Sequence, residues 1–93
     1  MIEHLRNNMV TLADLYAQHM NISLWRVSFL VRGNGNFFGR LSGRYDPDGK
    51  GPSSCNLRTV DAVFQWFDAN WPGDLEWPAD IHRPSSSSNR GAA

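Results

Sequence analysis

The chain has 93 residues, a formal net charge of zero and one cysteine, Cys55. That length fits a single small domain, one thiol excludes an internal disulfide, and the longest apolar run, residues 24–31, is too short for a bilayer and carries Arg26. Charge is divided rather than absent: residues 1–58 carry seven basic and four acidic side chains, whereas residues 59–93 carry two and five. A split of this kind predicts a basic face and an acidic end. With no disulfide and no signal segment, the expected compartment is the cytoplasm, and no membrane contact is expected.

Ile2, Leu5, Met9, Leu12, Tyr16 and Met20 recur at steps of three and four, which predicts a helix over about 2–19. Thr11 and Asp14 form a weak capping box that would divide it in two. Asn21-Ile22-Ser23 reads as a turn, with Ser23 capping a second helix from Leu24 to about Arg32. Gly33-Asn34-Gly35-Asn36 stops that helix, since glycine and asparagine accept positive φ at little cost. Phe37, Phe38 and Leu41 fit a short helix ending at Gly43, and residues 46–54 read as a mobile loop. Ser54 or Asn56 then caps a helix from Leu57 to about Asn70, with Leu57, Val60, Val63, Phe64 and Phe67 facing the core. Pro72 ends it by disfavouring helical geometry at Trp71. Residues 71–84 read as an extended strap whose tryptophans pack back on the helices or make a dimer contact. Ser85 to Ala93 read as a disordered polar tail. The expected fold is therefore all-α, a bundle of four to five helices with a Trp/Pro-rich strap, forming one domain over 1–84.

Counted from Ala17, Met20 lies at +3, Asn21 at +4, Ile22 at +5, Val27 at +10, Leu30 at +13 and Gly33 at +16. This pattern resembles the helix-turn-helix of phage-repressor-type (XRE-like) regulators. There a small residue lets two helices cross, a left-handed residue makes the turn, and apolar residues dock the second helix. Asn21 stands where the family usually has glycine. Asn56-Leu57-Arg58-Thr59-Val60 is similar to the start of the fourth helix of such repressors. Residues 9–84 also look like a group of small phage and bacterial proteins. They share a helix-turn-helix start, a Phe-Phe-x-x-Leu segment and an ending like Trp66-Phe67-x-x-Asn70-Trp71-Pro72. The resemblance implies a DNA-binding regulator of phage or mobile-element origin, acting as a dimer, with helix 24–32 in the major groove.

With Val27 and Leu30 inward, the exposed face of that helix would present Leu24, Trp25, Ser28, Phe29 and Arg32, with Arg26 at its flank. The expected DNA-binding residues are Ser23, Trp25, Arg26, Ser28, Phe29, Arg32, Arg40, Arg44 and Arg58. Arginines suit phosphates and guanine edges, and apolar side chains suit thymine methyls. Trp25 and Phe29 depart from the repressor pattern, which favours Arg, Lys, Asn or Gln at base-reading positions. Three readings of that pair stay open: contact with thymine methyls, contact with a protein partner, or a place in the core. The protein-contact reading gives a different function, a protein-binding module on the same scaffold. One such form is a phage inhibitor of a host defence complex, of the anti-CRISPR kind.

Nothing points to an enzyme or a cofactor. His4, His19, His82 and Cys55 lack metal-site spacing. Gly33-Asn34-Gly35 follows a predicted helix and no lysine follows in register, so it is not a phosphate loop. Ser85 to Ser88 have no partner base nearby in sequence. Cys55 reads as a small apolar residue.

Overall fold

The computed structural model describes residues 3–84, so the expected tail at 85–93 lies outside the described residues, as does Ile2. Four helices follow in order: α1 (Glu3–Met20), α2 (Leu24–Arg32), α3 (Phe37–Ser42) and α4 (Leu57–Asn70). There is no strand among the described residues, and the domain is an all-α bundle. No helix of the described residues is long and apolar enough to cross a membrane.

α1 is continuous through Thr11, so the weak capping box does not divide it. The reason lies in its stripe: Met9, Leu12, Ala13, Tyr16 and Ala17 are all buried, and breaking the helix at Thr11 would dismantle that one face. The helix ends on Asn21, which has φ of 59°. Ile22 N–H donates to the Ala17 carbonyl at 3.0 Å and Asn21 N–H to the Gln18 carbonyl at 3.3 Å. These are the paired bonds of a Schellman end, and asparagine tolerates the left-handed position they need.

Three residues after Asn21, α2 begins. Ser23 Oγ accepts from Arg26 N–H at 3.1 Å, and Gly33, with φ of 71°, closes the far end by donating to the Phe29 carbonyl. α2 packs against α1, α3 and α4. α4 is capped by Asn56, whose Oδ1 accepts from Thr59 N–H at 2.9 Å, so Asn56 and not Ser54 starts that helix. The loop before it is tied at several points. The Asp46 carboxylate accepts from Lys50 and Gly51 N–H, Ser53 N–H donates to the Arg40 carbonyl, and Arg6 Nε donates to the Ser53 carbonyl.

The core gathers Met9 and Leu12 from α1, Val27 from α2, Phe38 and Leu41 from α3, and Val63 and Phe67 from α4. Two leucines expected inside are not there: Leu30 is 42% exposed and Leu57 is 72% exposed. In α2 the inward stripe is Leu24, Val27, Ser28 and Val31, which leaves Leu30 a third of a turn outside it. Leu57 occupies the first position of α4, ahead of the turn that meets α1. Met20, one residue before the left-handed turn, is also half exposed.

The strap closes the bundle. Trp71 Nε1 donates to the Leu75 carbonyl at 2.8 Å and Trp77 Nε1 to the Ile81 carbonyl at 2.7 Å. Arg83 then ties the strap to α4 through the Asp68 carboxylate at 2.7 Å, with its guanidinium over the Trp77 ring. These bonds satisfy both indole N–H groups inside the domain.

Candidate nucleic-acid interface

A helix turns about 100° per residue, which fixes what α2 shows once its buried stripe is known. Opposite Leu24, Val27, Ser28 and Val31 stand Arg26 and Phe29, near the midline of the outward face. Trp25 and Arg32 lie along the edge beside Ser28, and Leu30 lies along the other edge. Trp25, Phe29 and Leu30 are 54%, 46% and 42% exposed. The Trp25 and Phe29 rings lie parallel, with centres 5.6 Å apart and planes 3° from each other. They are therefore outside the core, and the core reading of this pair is set aside.

The Trp25 indole is seated on Gly35. A Cβ added to Gly35 would overlap Cε2 and Nε1 of the indole. The glycine is thus used for close approach, and its lack of a side chain lets the ring settle over the loop after α2.

Ser28 was expected on this face and is not. It is fully buried. Its hydroxyl donates to the Leu24 carbonyl at 2.9 Å and accepts from Phe38 N–H at 3.0 Å. Phe38 N–H is one of the open amides in the first turn of α3, where Asn36 offers no side-chain cap. Ser28 therefore substitutes for a cap and bolts α3 to α2. A side chain held in this way is withdrawn from contact with a base.

The remaining predicted residues divide by what already occupies them. Ser23 is exposed, but its oxygen caps α2. Arg44 makes a two-pronged pair with Asp14, both contacts at 2.8 Å. Hydrogen bonding to Asp14 raises its guanidinium above the ordinary value, against an opposing effect of burial and with the Asp14 charge adding to the rise. Arg44 is thus partly neutralised. Arg40 lies over the Tyr45 ring at 5.1 Å, an arrangement that leaves its charge intact. Arg26, Arg32 and Arg58 are exposed and form no salt bridge among the described residues.

One participant was missed in the sequence and one was misplaced. Gly35 looked like a helix stop and is a ring seat. Arg26 was expected at the flank and lies near the middle of the face. The second error follows from assigning Leu30 inward; the spacing Leu24, Val27, Ser28, Val31 carries the correct stripe once serine is admitted to the core.

No group of three or more His, Cys, Asp or Glu able to hold a metal occurs among the described residues. Burial pushes the Cys55 thiol up, with smaller opposing effects from Arg32, the chain's amino terminus and Arg6. A thiol shifted in that direction is less available as a thiolate nucleophile. Comparison with family models, with curated proteins and with solved structures finds no match for this chain.

Proposed function

We propose that this chain is a DNA-binding regulator of the helix-turn-helix type, kin to phage-repressor-like proteins and cytoplasmic, that reads the major groove with α2. One observation carries the reading. Arg26 lies near the middle of the outward face of α2, exposed and with no carboxylate partner among the described residues. A guanidinium on such a helix suits the O6 and N7 acceptors of guanine. Trp25 and Phe29 beside it suit thymine methyls and sugars, and Arg32, Arg40 and Arg58 suit phosphates. Ser28 takes no part, and Arg44 contributes less than its charge suggests because Asp14 accompanies it.

The test is binding of duplex DNA to the full chain at ~50 and ~200 mM salt, where phosphate-driven affinity falls steeply. Arg26→Ala is expected to cost roughly 10- to 100-fold at the preferred sequence and to relax its specificity. Arg32→Ala is expected to weaken all sequences alike and to reduce the salt slope by about one. Unchanged affinity and slope in both variants would sink the proposal.

A second reading is favoured by a different observation, the exposure of the stacked Trp25 and Phe29 rings. Tryptophan and arginine together form the usual energetic centre of protein interfaces. On this reading α2 lies in an apolar groove of a host protein complex, and duplex DNA does not bind at either salt concentration. Trp25→Ala would then abolish partner capture.

A further inference from the structure

The side chains that α2 leaves open are of two kinds. Its nine residues include two arginines and no Asp, Glu, Asn, Gln or Lys. The hydroxyls of Ser23 and Ser28 are committed: one caps the helix, and the other is buried between the Leu24 carbonyl and Phe38 N–H. What remains outward is guanidinium and apolar surface, from Arg26, Arg32, Trp25, Phe29 and Leu30. Phe29 and Leu30 are the third and fourth residues after Arg26. Helical side chains lean towards the N-terminus, so both stand beside its guanidinium. The Phe29 ring has one aromatic neighbour, the parallel Trp25, and no guanidinium lies over it among the described residues. Trp25 in turn rests on Gly35. The ring pair is thus an apolar platform supported from the Trp25 side, next to a cation with no carboxylate partner.

These groups match one combination of base edges. Adenine is read best by Asn or Gln and the cytosine amino group by Asp or Glu, and α2 carries none of these. A guanidinium only donates, and its best-matched base is guanine, through O6 and N7. An apolar ring suits the methyl group at C5 of a pyrimidine. Successive bases on a strand rise by about 3.4 Å, and side chains three apart on a helix are about 5–6 Å apart at Cβ, so Arg26 and Phe29 suit neighbouring bases. Resting on α2 as the helix that reads DNA, we propose that its ligand is a guanine beside a 5-methylpyrimidine. Arg26 takes the guanine, and the Phe29 ring, backed by Trp25, takes the methyl. Thymine and 5-methylcytosine both carry that methyl. With no carboxylate on α2 to accept from its amino group, cytosine is recognised only when methylated.

The experiment starts from the site that the full chain enriches out of a random duplex pool at ~50 mM salt, where phosphate contacts are strong. That site should hold a guanine beside a pyrimidine. Affinity is then measured for four versions of the pyrimidine: thymine and deoxyuridine opposite adenine, and 5-methylcytosine and cytosine opposite guanine. Each pair differs by one methyl group, which should be worth about four-fold in affinity. Phe29→Ala should abolish the methyl effect while keeping the preference for guanine, and Arg26→Ala should lose that preference. A methyl effect in the first pair alone assigns the ligand to thymine, and in the second pair alone to methylated DNA. Salt-sensitive binding that ignores the methyl in both pairs would overturn this proposal and leave α2 as a DNA-reading helix. So would a methyl effect that survives Phe29→Ala, or an enriched site with no guanine beside a pyrimidine. Absence of binding to any duplex would overturn the DNA reading itself, and this proposal with it.

Discussion

Two sets of aromatic rings in this small chain are used in opposite ways. Tyr16, Trp66, Phe67, Trp71 and Trp77 interlock inside the bundle, mostly edge to face, as with Trp66 and Phe67 at 5.3 Å and 90°. Edge-on contact sets the positive rim of one ring against the negative face of the next, and both buried indole N–H groups of the strap have carbonyl partners. Trp25 and Phe29 instead lie flat on each other at the surface, and the Trp25 N–H has no partner among the described residues. The same residue types are thus structural where every polar edge is satisfied internally. Where a polar edge and a ring face are left open together, they are available to something outside the chain.

The sharpest way to break this contrast is to truncate one ring from each set and measure urea unfolding. Phe67 is fully buried, and Phe67→Ala should cost about 3–5 kcal/mol. Trp25→Ala removes one surface stack and should cost no more than about 1.5 kcal/mol, while changing whatever α2 binds. Equal losses from the two variants would mean that Trp25 is as structural as Phe67, and the surface set would lose its claim to function.

A smaller effect tests what holds α2 in place. Ser28→Ala leaves the Phe38 N–H without its acceptor in a buried setting, which should cost about 1–3 kcal/mol. The Phe38 amide should also lose hydrogen-exchange protection before the middle of α1 does. If Ser28→Ala instead leaves stability untouched but weakens DNA binding, the hydroxyl faces outward and the assignment of the α2 face is wrong.

Much of this fold could be read before any coordinates. The left-handed turn at Asn21, the Ser23 cap, the left-handed ends at Gly33 and Gly43 and the bounds of α2, α3 and α4 all follow from local chemistry acting over three or four residues. What was not legible depends on contacts between elements. Serine is usually an outward residue, so its place in the buried stripe of α2 is visible only when α3 supplies an uncapped amide for it to accept from. Leu30 and Leu57 are apolar and at plausible helical spacing, yet neighbouring helices do not reach them. The candidate site suffered most, because a wrong choice of one inward residue rotates the whole outward face and moves Arg26 from its middle to its edge.

Gly35 offers the finest test of the contrast, because it separates ring placement from fold. Its φ is not positive, so alanine meets no backbone penalty there, and loss of freedom in the unfolded chain should favour the variant by about 0.4–1 kcal/mol. Against that gain, the new Cβ would occupy the space of the Trp25 indole, which must swing away. The ring is more than half exposed and can do so without disturbing the core. The two effects nearly cancel, so Gly35→Ala should change the urea midpoint little while shifting Trp25 fluorescence. Binding through α2 should fall towards the level of Trp25→Ala. A fold that loosens instead would show that Trp25 on its glycine seat belongs with the interior rings. A variant that binds normally with a displaced ring would confine recognition to the arginines.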